Sequence, residues 1–168
     1  MKILVVGSGG REHAIALKLK ENLKVEQIFA APGNGGMAAF CTPVNIKATD
    51  VEGMVAFAKE NGVDFAVVAP DDPLVLGMVD AMEEAGIPSF GPNKAAAIIE
   101  GSKVFSKNLM KKYGIPTAKY ETFASEEEAV AYLKAQNTYP TVVKADGLAL
   151  GKGVLIAKND QEALDAVH

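Results

Sequence analysis

The stretch KILVVGSGGREHAIALKLK, residues 2–20, decides how the first part of this chain folds. Its leading apolar run predicts a buried β-strand, and the glycine-rich turn that follows leads into a helix from about Arg11. Apolar residues recur at every fourth position of that helix and are expected to form its buried face: Ile15, Leu19 and Leu23. A strand that enters a helix through such a turn is typical of an α/β sheet, and it exposes backbone N–H groups suited to a phosphate.

The alternation of strands and helices continues to about residue 92 and predicts a five-stranded α/β unit. Further strands are expected at 25–31, 63–70 and 87–90. A helix should begin at a capping box formed by Thr49 and Glu52 and end at Asn61-Gly62, and another should run from about Pro73 to Ala85.

A second domain is expected after this alternation ends, which divides the chain into domains at 1–100 and 101–168. Two helical segments follow one another directly, at 95–100 and 102–114. The elements expected next are an extended piece at 117–123, a helix capped by Ser125 with Glu128, and β-strands within 139–145 and 153–157. A final helix from Asn159 or Asp160 shows no stop signal before His168, so the chain is expected to be a fragment of a longer protein.

Composition narrows the classes of function. The 168 residues carry 17 basic and 21 acidic side chains, a net charge of -4, which argues against a nucleic-acid-binding protein and favours small-molecule partners. No apolar run approaches the length of a membrane span or a signal segment. Cys41 is the only cysteine, so an internal disulfide is impossible; we expect a cytoplasmic protein in which this thiol is a small buried filler.

The opening turn, residues 7–12, only partly satisfies the dinucleotide-binding pattern. That pattern requires glycine at its sixth position, where this chain has Glu12, and an acid at the end of the second strand, which the segment at 28–34 lacks. The guanidinium of Arg11 beside three glycines suits a phosphate monoester. The alternative is a tight turn without a ligand, in which Glu12 serves the helix dipole and His13 packs or caps.

A second glycine-rich loop, residues 146–153, lies between two expected strands and predicts a hairpin flap. Its backbone amides, with Lys144 and Lys152, could cover a polyphosphate. It is not a Walker loop, because no helix and no Ser or Thr follow the lysine. The alternative is a flexible hairpin with solvated lysines.

Taken together, the runs GSGGREHA, APGN, FGPNKAAAIIEGSK, GIPTA and VVKADGLALGKGV resemble the phosphoribosylamine–glycine ligase family of ATP-grasp enzymes along the whole chain. The resemblance implies a Rossmann-like (pre-ATP-grasp) parallel sheet followed by the start of an ATP-grasp α+β module. It implies that ATP, with Mg²⁺ or Mn²⁺ held by residues beyond 168, drives ligation of glycine to 5-phosphoribosylamine in purine biosynthesis. The fragment alone is expected to be inactive.

The resemblance also implies binding residues but no catalytic residue within this chain. Phosphoribosylamine would be bound, with its 5-phosphate at the first turn, by Gly9, Gly10, Arg11, Glu12, Asn34 and Asp71. ATP would be bound, with 146–153 as a phosphate lid, by Lys103, Lys144, Asp146, Gly147, Gly151, Lys152 and Gly153.

Two positions depart from the family pattern. Asp71 stands where the family usually has glutamate, so Asp72 or a water could share its contact with the sugar hydroxyls, and a plain helix N-terminus is a compatible interpretation. Leu150 replaces a small residue of the loop. Other readings remain open: another ATP-grasp ligase or carboxylase, an NAD-dependent oxidoreductase, or a nucleotide-sensing module.

Overall fold

The computed structural model describes residues 1–147 and 153–167, which fall into two compact units, Met1–Gly101 and Ser102–His168. The first unit is an α/β sheet with helices. Its elements, in chain order, are β1 (Lys2–Gly7), α1 (Gly10–Lys20), β2 (Gln27–Pro32), β3 (Thr42–Pro43), α2 (Val51–Glu60), β4 (Phe65–Val68), α3 (Asp71–Leu76), α4 (Met78–Glu84), β5 (Ser89–Phe90) and α5 (Lys94–Gly101).

The five strands pair in parallel in the order β3-β2-β1-β4-β5. The order reverses between β1 and β4, because the chain runs outward from β1 to β3 and then returns to the other side of β1. Ligands of open α/β sheets bind beside such a reversal, at the carboxyl ends of the strands. The predicted fold class is therefore confirmed, although the two-residue β3 had not been located in the sequence.

Both faces of the sheet are covered, and β1 supplies each face with alternate residues. Leu4 and Val6 join one apolar cluster, with Met54 of α2 and Met78 of α4 among its members. Ile3 and Val5 join the other, with Ala16 of α1. Because successive side chains of a strand point to opposite faces, a continuous apolar run is what a doubly covered strand requires.

Three helix expectations in this unit were wrong. The cap of α2 is Asp50, whose Oδ1 accepts the Gly53 N–H at 3.0 Å, and not Thr49. The helix expected at about Pro73–Ala85 is divided into α3 and α4 by Gly77, whose φ of +94° is left-handed and incompatible with a continuous helix. Leu23 lies beyond the end of α1 and is fully exposed, so it takes no part in the helix face.

The second unit contains α6 (Lys103–Tyr113), α7 (Glu126–Gln136), β6 (Thr141–Lys144), β7 (Val154–Ala157) and α8 (Asp160–Asp165). The antiparallel β6–β7 pair and the Ser125 cap, which accepts the Glu128 N–H, confirm two predictions. Of its described residues, only Ala157 and Ala163 are buried.

Residues 117–123 belong to no helix or strand, and Lys107 contacts them: Lys107 Nζ donates to Thr117 Oγ1 at 2.6 Å and the Tyr120 hydroxyl donates to the Lys107 carbonyl at 2.8 Å. One further expectation for the second unit was wrong. The last helix ends at Asp165, with Ala166 as its C-cap, and does not run to the end of the chain. None of the described helices combines the length and apolar composition that a membrane span requires.

Replacing Asp50 by Ala should lower the free energy of unfolding of the first unit by about 1 kcal/mol, since the Gly53 amide loses its side-chain acceptor. The control is Thr49→Ala, the residue favoured by the sequence pattern, which should change stability by less than about 0.5 kcal/mol. Urea unfolding followed by far-UV circular dichroism measures both variants. A larger loss in Thr49→Ala than in Asp50→Ala would contradict the observed cap.

Candidate functional site

Three segments meet at the carboxyl edge of the parallel sheet where its strand order reverses. The turn after β1 is tied to the segment after β2 by the Gly33 N–H, which donates to the Gly7 carbonyl at 3.0 Å. The segment after β4 is equally near, since a Cβ built on Gly7 would lie 2.7 Å from Pro70 Cγ. The sequence-predicted residues that lie on these segments are Gly9, Gly10, Arg11, Glu12, Asn34 and Asp71.

Arg11, the only arginine of the sequence, lines an open pocket of about 520 Å³ at this edge. Its side chain is 70% exposed, so its guanidinium is available to a ligand. The other lining residues come from the ends of β4 and β5 and from the start of α3: Val68, Ala69, Leu74, Ser89, Phe90, Gly91 and Pro92. The sequence analysis missed Ser89 and its neighbours, although they end the strand that pairs with β4.

Glu12 is buried beneath the turn, with 3% of its surface exposed. Its Oε2 accepts the Gly9 N–H at 2.6 Å, which forms half of a capping box at the start of α1. Its Oε1 is buried without a hydrogen-bond partner in the described residues and lies 4.0 Å from Arg11 Nε. A buried acceptor left unpaired costs about 1–3 kcal/mol, so this oxygen favours any donor that reaches it.

The backbone N–H groups of the turn therefore fall into two sets, one already hydrogen-bonded and one without an acceptor. The Gly9 N–H is taken by Glu12, whereas the amides of Gly10 and Arg11, at the start of α1, have no acceptor in the part of the chain that the structure describes. The first N–H groups of a helix lack partners within the helix and attract anions. An anion at this turn would therefore accept hydrogen bonds from the amides of Gly10 and Arg11. Gly9 would contribute only because it has no side chain to block the approach.

Asn34 holds the turn from the neighbouring strand. Its Nδ2 donates to the Ser8 carbonyl at 3.0 Å, and its Oδ1 accepts the N–H groups of Gly36 and Met37 at 2.9 and 3.1 Å. Both ends of the side chain are thus occupied by backbone. In this arrangement Asn34 shapes the site.

Asp71 is the first residue of α3, with Pro70 as the N-cap, and it is half-buried. Within residues 1–147 and 153–167, no hydrogen bond reaches its carboxylate or that of Asp72. The two acids therefore lie at the carboxyl edge with acceptor capacity for hydroxyl groups, and they also suit the helix N-terminus.

The surroundings of His13 and Cys41 indicate packing roles for both side chains. The His13 ring packs against Phe40 with 5.5 Å between ring centroids. Cys41 is buried, as predicted, and burial raises the pKa of its thiol although the charge of Lys20 opposes the shift. A thiol kept protonated in this way is a poor nucleophile.

In the second unit, the base of the glycine-rich hairpin is fastened to the start of α6. Lys103 Nζ donates to the Gly147 carbonyl at 2.5 Å, and the Asp146 carboxylate accepts the Val104 N–H at 3.2 Å and the Ser102 hydroxyl at 3.0 Å. Burial raises the pKa of Asp146, but hydrogen bonds from Val104, Ser102, Gly147 and Lys103 outweigh it and hold the pKa below its ordinary value. Asp146 is thus an exposed anion held at a helix N-terminus.

The other residues expected at a nucleotide site flank this network or lie outside the described residues. Lys144 ends β6 and is exposed, and the Ala145 N–H donates to the Gly153 carbonyl at 2.9 Å, which closes the hairpin base. Gly151, Lys152 and the unusual Leu150 are among the residues that the structure does not describe. Across the described residues, no group of three or more His, Cys, Asp or Glu could hold a metal ion.

Two family profiles match the chain in succession. Residues 1–100 match the N domain of phosphoribosylglycinamide synthetase, and residues 101–168 match its ATP-grasp (A) domain. The phosphoribosylamine–glycine ligases of Allochromatium vinosum and Streptococcus suis are each 53% identical, over 170 and 169 residues, covering 100% of this chain and 40% of each relative. The chain therefore spans about 40% of the length of these relatives. The matches confirm the resemblance identified in the sequence.

Solved structures also resemble this chain. A phosphoribosylamine–glycine ligase from Thermotoga maritima has 32% identity and a TM-score of 0.75, covering 98% of this chain and 38% of that one. The biotin carboxylase domain of 2-oxoglutarate carboxylase from Hydrogenobacter thermophilus has a TM-score of 0.77 over 98% of this chain and 39% of that one, at 24% identity. The latter likeness is one of fold alone.

Asp146 should make the stability of the second unit depend on pH in the acid range. Its lowered pKa stabilises the folded state above its ordinary value of 3.8, and this contribution is lost as the pH falls through the folded-state pKa. The stability difference between wild type and Asp146→Asn should therefore be constant near neutrality and shrink below that value. All four tyrosines lie in this unit, so urea unfolding followed by tyrosine fluorescence reports it selectively.

The control for this measurement is Asp165→Asn, which removes a carboxylate at the end of α8 that accepts a hydrogen bond from Gln161 of the same helix. A stability difference for Asp146→Asn that stays constant down to the lowest pH at which the protein folds would contradict the role given to the network.

Proposed function

The chain belongs to the phosphoribosylglycinamide synthetase family, and on that premise we propose that it serves the ATP-dependent ligation of glycine to 5-phosphoribosylamine. The products are glycinamide ribonucleotide, ADP and phosphate, and the proposed setting is purine biosynthesis in the cytoplasm. The relatives that carry the ligase name are longer than this chain, so the activity is proposed for the whole protein.

The observation that carries the proposal is the position of Arg11. Arg11 lines the pocket at the carboxyl edge of the sheet, beside the amides of Gly10 and Arg11, which have no acceptor among the described residues. A guanidinium and two backbone donors suit the terminal phosphate of phosphoribosylamine. Gly9 and Glu12 contribute by holding the turn, since the carboxylate binds the Gly9 amide.

The sugar of the same substrate is proposed to lie toward α3, where the carboxylate of Asp71, with Asp72 beside it, can accept hydrogen bonds from hydroxyl groups. Asn34 is proposed to act through the turn, because its amide nitrogen holds the Ser8 carbonyl and its oxygen holds two backbone amides. The pocket wall at Ser89 and Phe90 bounds the substrate on the β5 side.

ATP is proposed to bind the second unit at Lys103, Lys144, Asp146, Gly147 and Gly153, with Gly151 and Lys152, which lie outside the described residues. Lys144 is exposed and its ammonium group has no hydrogen bond to the described residues, whereas Lys103 is engaged with the Gly147 carbonyl. ATP is proposed to bind with Mg²⁺ or Mn²⁺, which would neutralise phosphate charge; the described residues hold no cluster for this ion.

The proposed reaction requires alignment more than proton transfer. A glycine carboxylate oxygen attacks the γ-phosphorus of ATP, which releases ADP and forms an acyl phosphate. The amine of phosphoribosylamine then attacks the acyl carbon, phosphate leaves, and the amine loses a proton. Holding reactants in line can account for about 7–11 kcal/mol of such a barrier, so the proposed contribution of this chain is to position phosphoribosylamine in the first unit and ATP in the second.

Replacing Arg11 by Ala in the full-length protein should raise the KM for phosphoribosylamine by about 10- to 100-fold, since a charged hydrogen bond to phosphate contributes about 1.5–3 kcal/mol. The KM for ATP should change by less than about twofold. Lys59→Ala, which removes an exposed charge from α2, is the matched control. Equal increases in both KM values would reject the assignment of Arg11.

Magnesium ATP should raise the thermal unfolding temperature of the wild-type protein, while NAD should leave it unchanged, because a ligand that binds only the folded state stabilises it. Lys144→Ala should reduce the shift caused by ATP. Lys119→Ala, which removes another exposed lysine of the same unit, should not. Stabilisation by NAD and not by ATP would favour an oxidoreductase over the ligase.

A further inference from the structure

Glu12 is the only polar or charged residue that is buried among residues 1–147 and 153–167. It stands where a dinucleotide-binding turn has its last glycine, which in that motif lets helix and strand pack closely. Burying a carboxylate at this position removes it from water, which costs considerable free energy unless other contacts compensate for it. Its surroundings indicate what it does for the turn.

The glycines of the turn accommodate this carboxylate. A Cβ on Gly7 would lie 2.6 Å from Glu12 Cγ, and a Cβ on Gly9 would lie 2.7 Å from Glu12 Oε2. Both distances are shorter than any ordinary carbon contact, so neither position admits a larger residue while Glu12 keeps its place. In a dinucleotide-binding turn the second of these glycines admits the pyrophosphate instead.

Two features of Glu12 bear directly on the choice of ligand. Its Oε2 takes the Gly9 N–H, a donor that a diphosphate lying on the turn would use, and places a negative charge beneath it. Its Oε1 is buried, has no partner in the described part of the chain, and lies 4.0 Å from Nε of the pocket-lining Arg11. The turn therefore repels a second phosphate and retains an unused acceptor beside the arginine.

We propose that Glu12 is the residue that determines ligand specificity at this turn. It excludes a diphosphate, because its charge lies beneath the turn and its Oε2 occupies the Gly9 N–H, and it confines binding to compounds with one phosphate at Gly10 and Arg11. This inference rests on the proposed function for its choice of a phosphoribosyl compound as ligand. The exclusion of diphosphates follows from the carboxylate itself.

The test compares ribose 5-phosphate with ADP-ribose, which carries a pyrophosphate, by titration calorimetry on this chain. Glu12→Gly restores the full glycine pattern of the turn, and Glu12→Gln keeps the size of the side chain without its charge. Glu21→Gln, at the other end of α1, is the matched control. Wild type and Glu21→Gln should bind ribose 5-phosphate with a Kd at least about tenfold lower than that for ADP-ribose.

The Glu12→Gly variant should lose at least tenfold of that preference, and Glu12→Gln should lose part of it. If Glu12→Gly does not fold, as judged by circular dichroism, the Glu12→Gln result decides. A folded variant that keeps the wild-type preference would overturn the inference. If wild type binds neither compound, the proposed function fails. In that case a gain of ADP-ribose binding in Glu12→Gly would still support the exclusion of diphosphates by Glu12. No gain in that variant would reject the exclusion as well.

Discussion

The hydrogen bond between the buried carboxylate of Glu12 and the amide of Gly9 is the contact on which the candidate site depends. It fixes the turn after β1, and it requires glycine at positions 7 and 9, because a Cβ at either would collide with the glutamate. The same contact decides which backbone donors remain for a ligand. Gly10 and Arg11 keep theirs, and the arginine side chain extends from the turn into the pocket.

The sheet places this contact where chemistry is possible. Covering both faces commits the side chains of Ile3, Leu4, Val5 and Val6 in β1 to two apolar clusters, so this part of the strand offers a substrate no polar side chain. Polar groups are available only where strands end, and the reversal of strand order between β1 and β4 separates the loops enough to leave a crevice. Arg11, Asn34 and Asp71 lie at these strand ends: Arg11 and Asp71 in the first turns of α1 and α3, and Asn34 after β2, where backbone hydrogen bonds hold it.

In the second unit, the charged residues at the hairpin base are held by hydrogen bonds to backbone and hydroxyl groups. Its anion, Asp146, is held at the start of α6 by backbone amides and the Ser102 hydroxyl, while Lys103 binds a backbone carbonyl of the same hairpin. Neither residue has a buried ionic partner among the described residues, and little of this unit is buried apart from two alanines. Its local order depends on hydrogen bonds near the hairpin base, which explains why acid should weaken it through Asp146.

The sequence by itself determined the parallel α/β class of the first unit, the hairpin and Ser125-capped helix of the second, and the segments that carry the candidate site. These features follow from local signals, since an apolar run, a glycine turn or a capping serine acts within a few residues. Local signals also misled: Thr49 matched the capping pattern as well as Asp50, and nothing local marked Gly77 as the break between α3 and α4. Only the tertiary structure decided that Glu12 is buried, that its Oε1 lacks a partner among the described residues, that Ser89 and Phe90 wall the pocket beside Arg11, and that Asp146 accepts the Val104 amide at the start of α6. Each of these depends on which distant segments are brought against one another, and burial and hydrogen-bond partners are properties of that arrangement, which residue types and spacing along the chain do not specify.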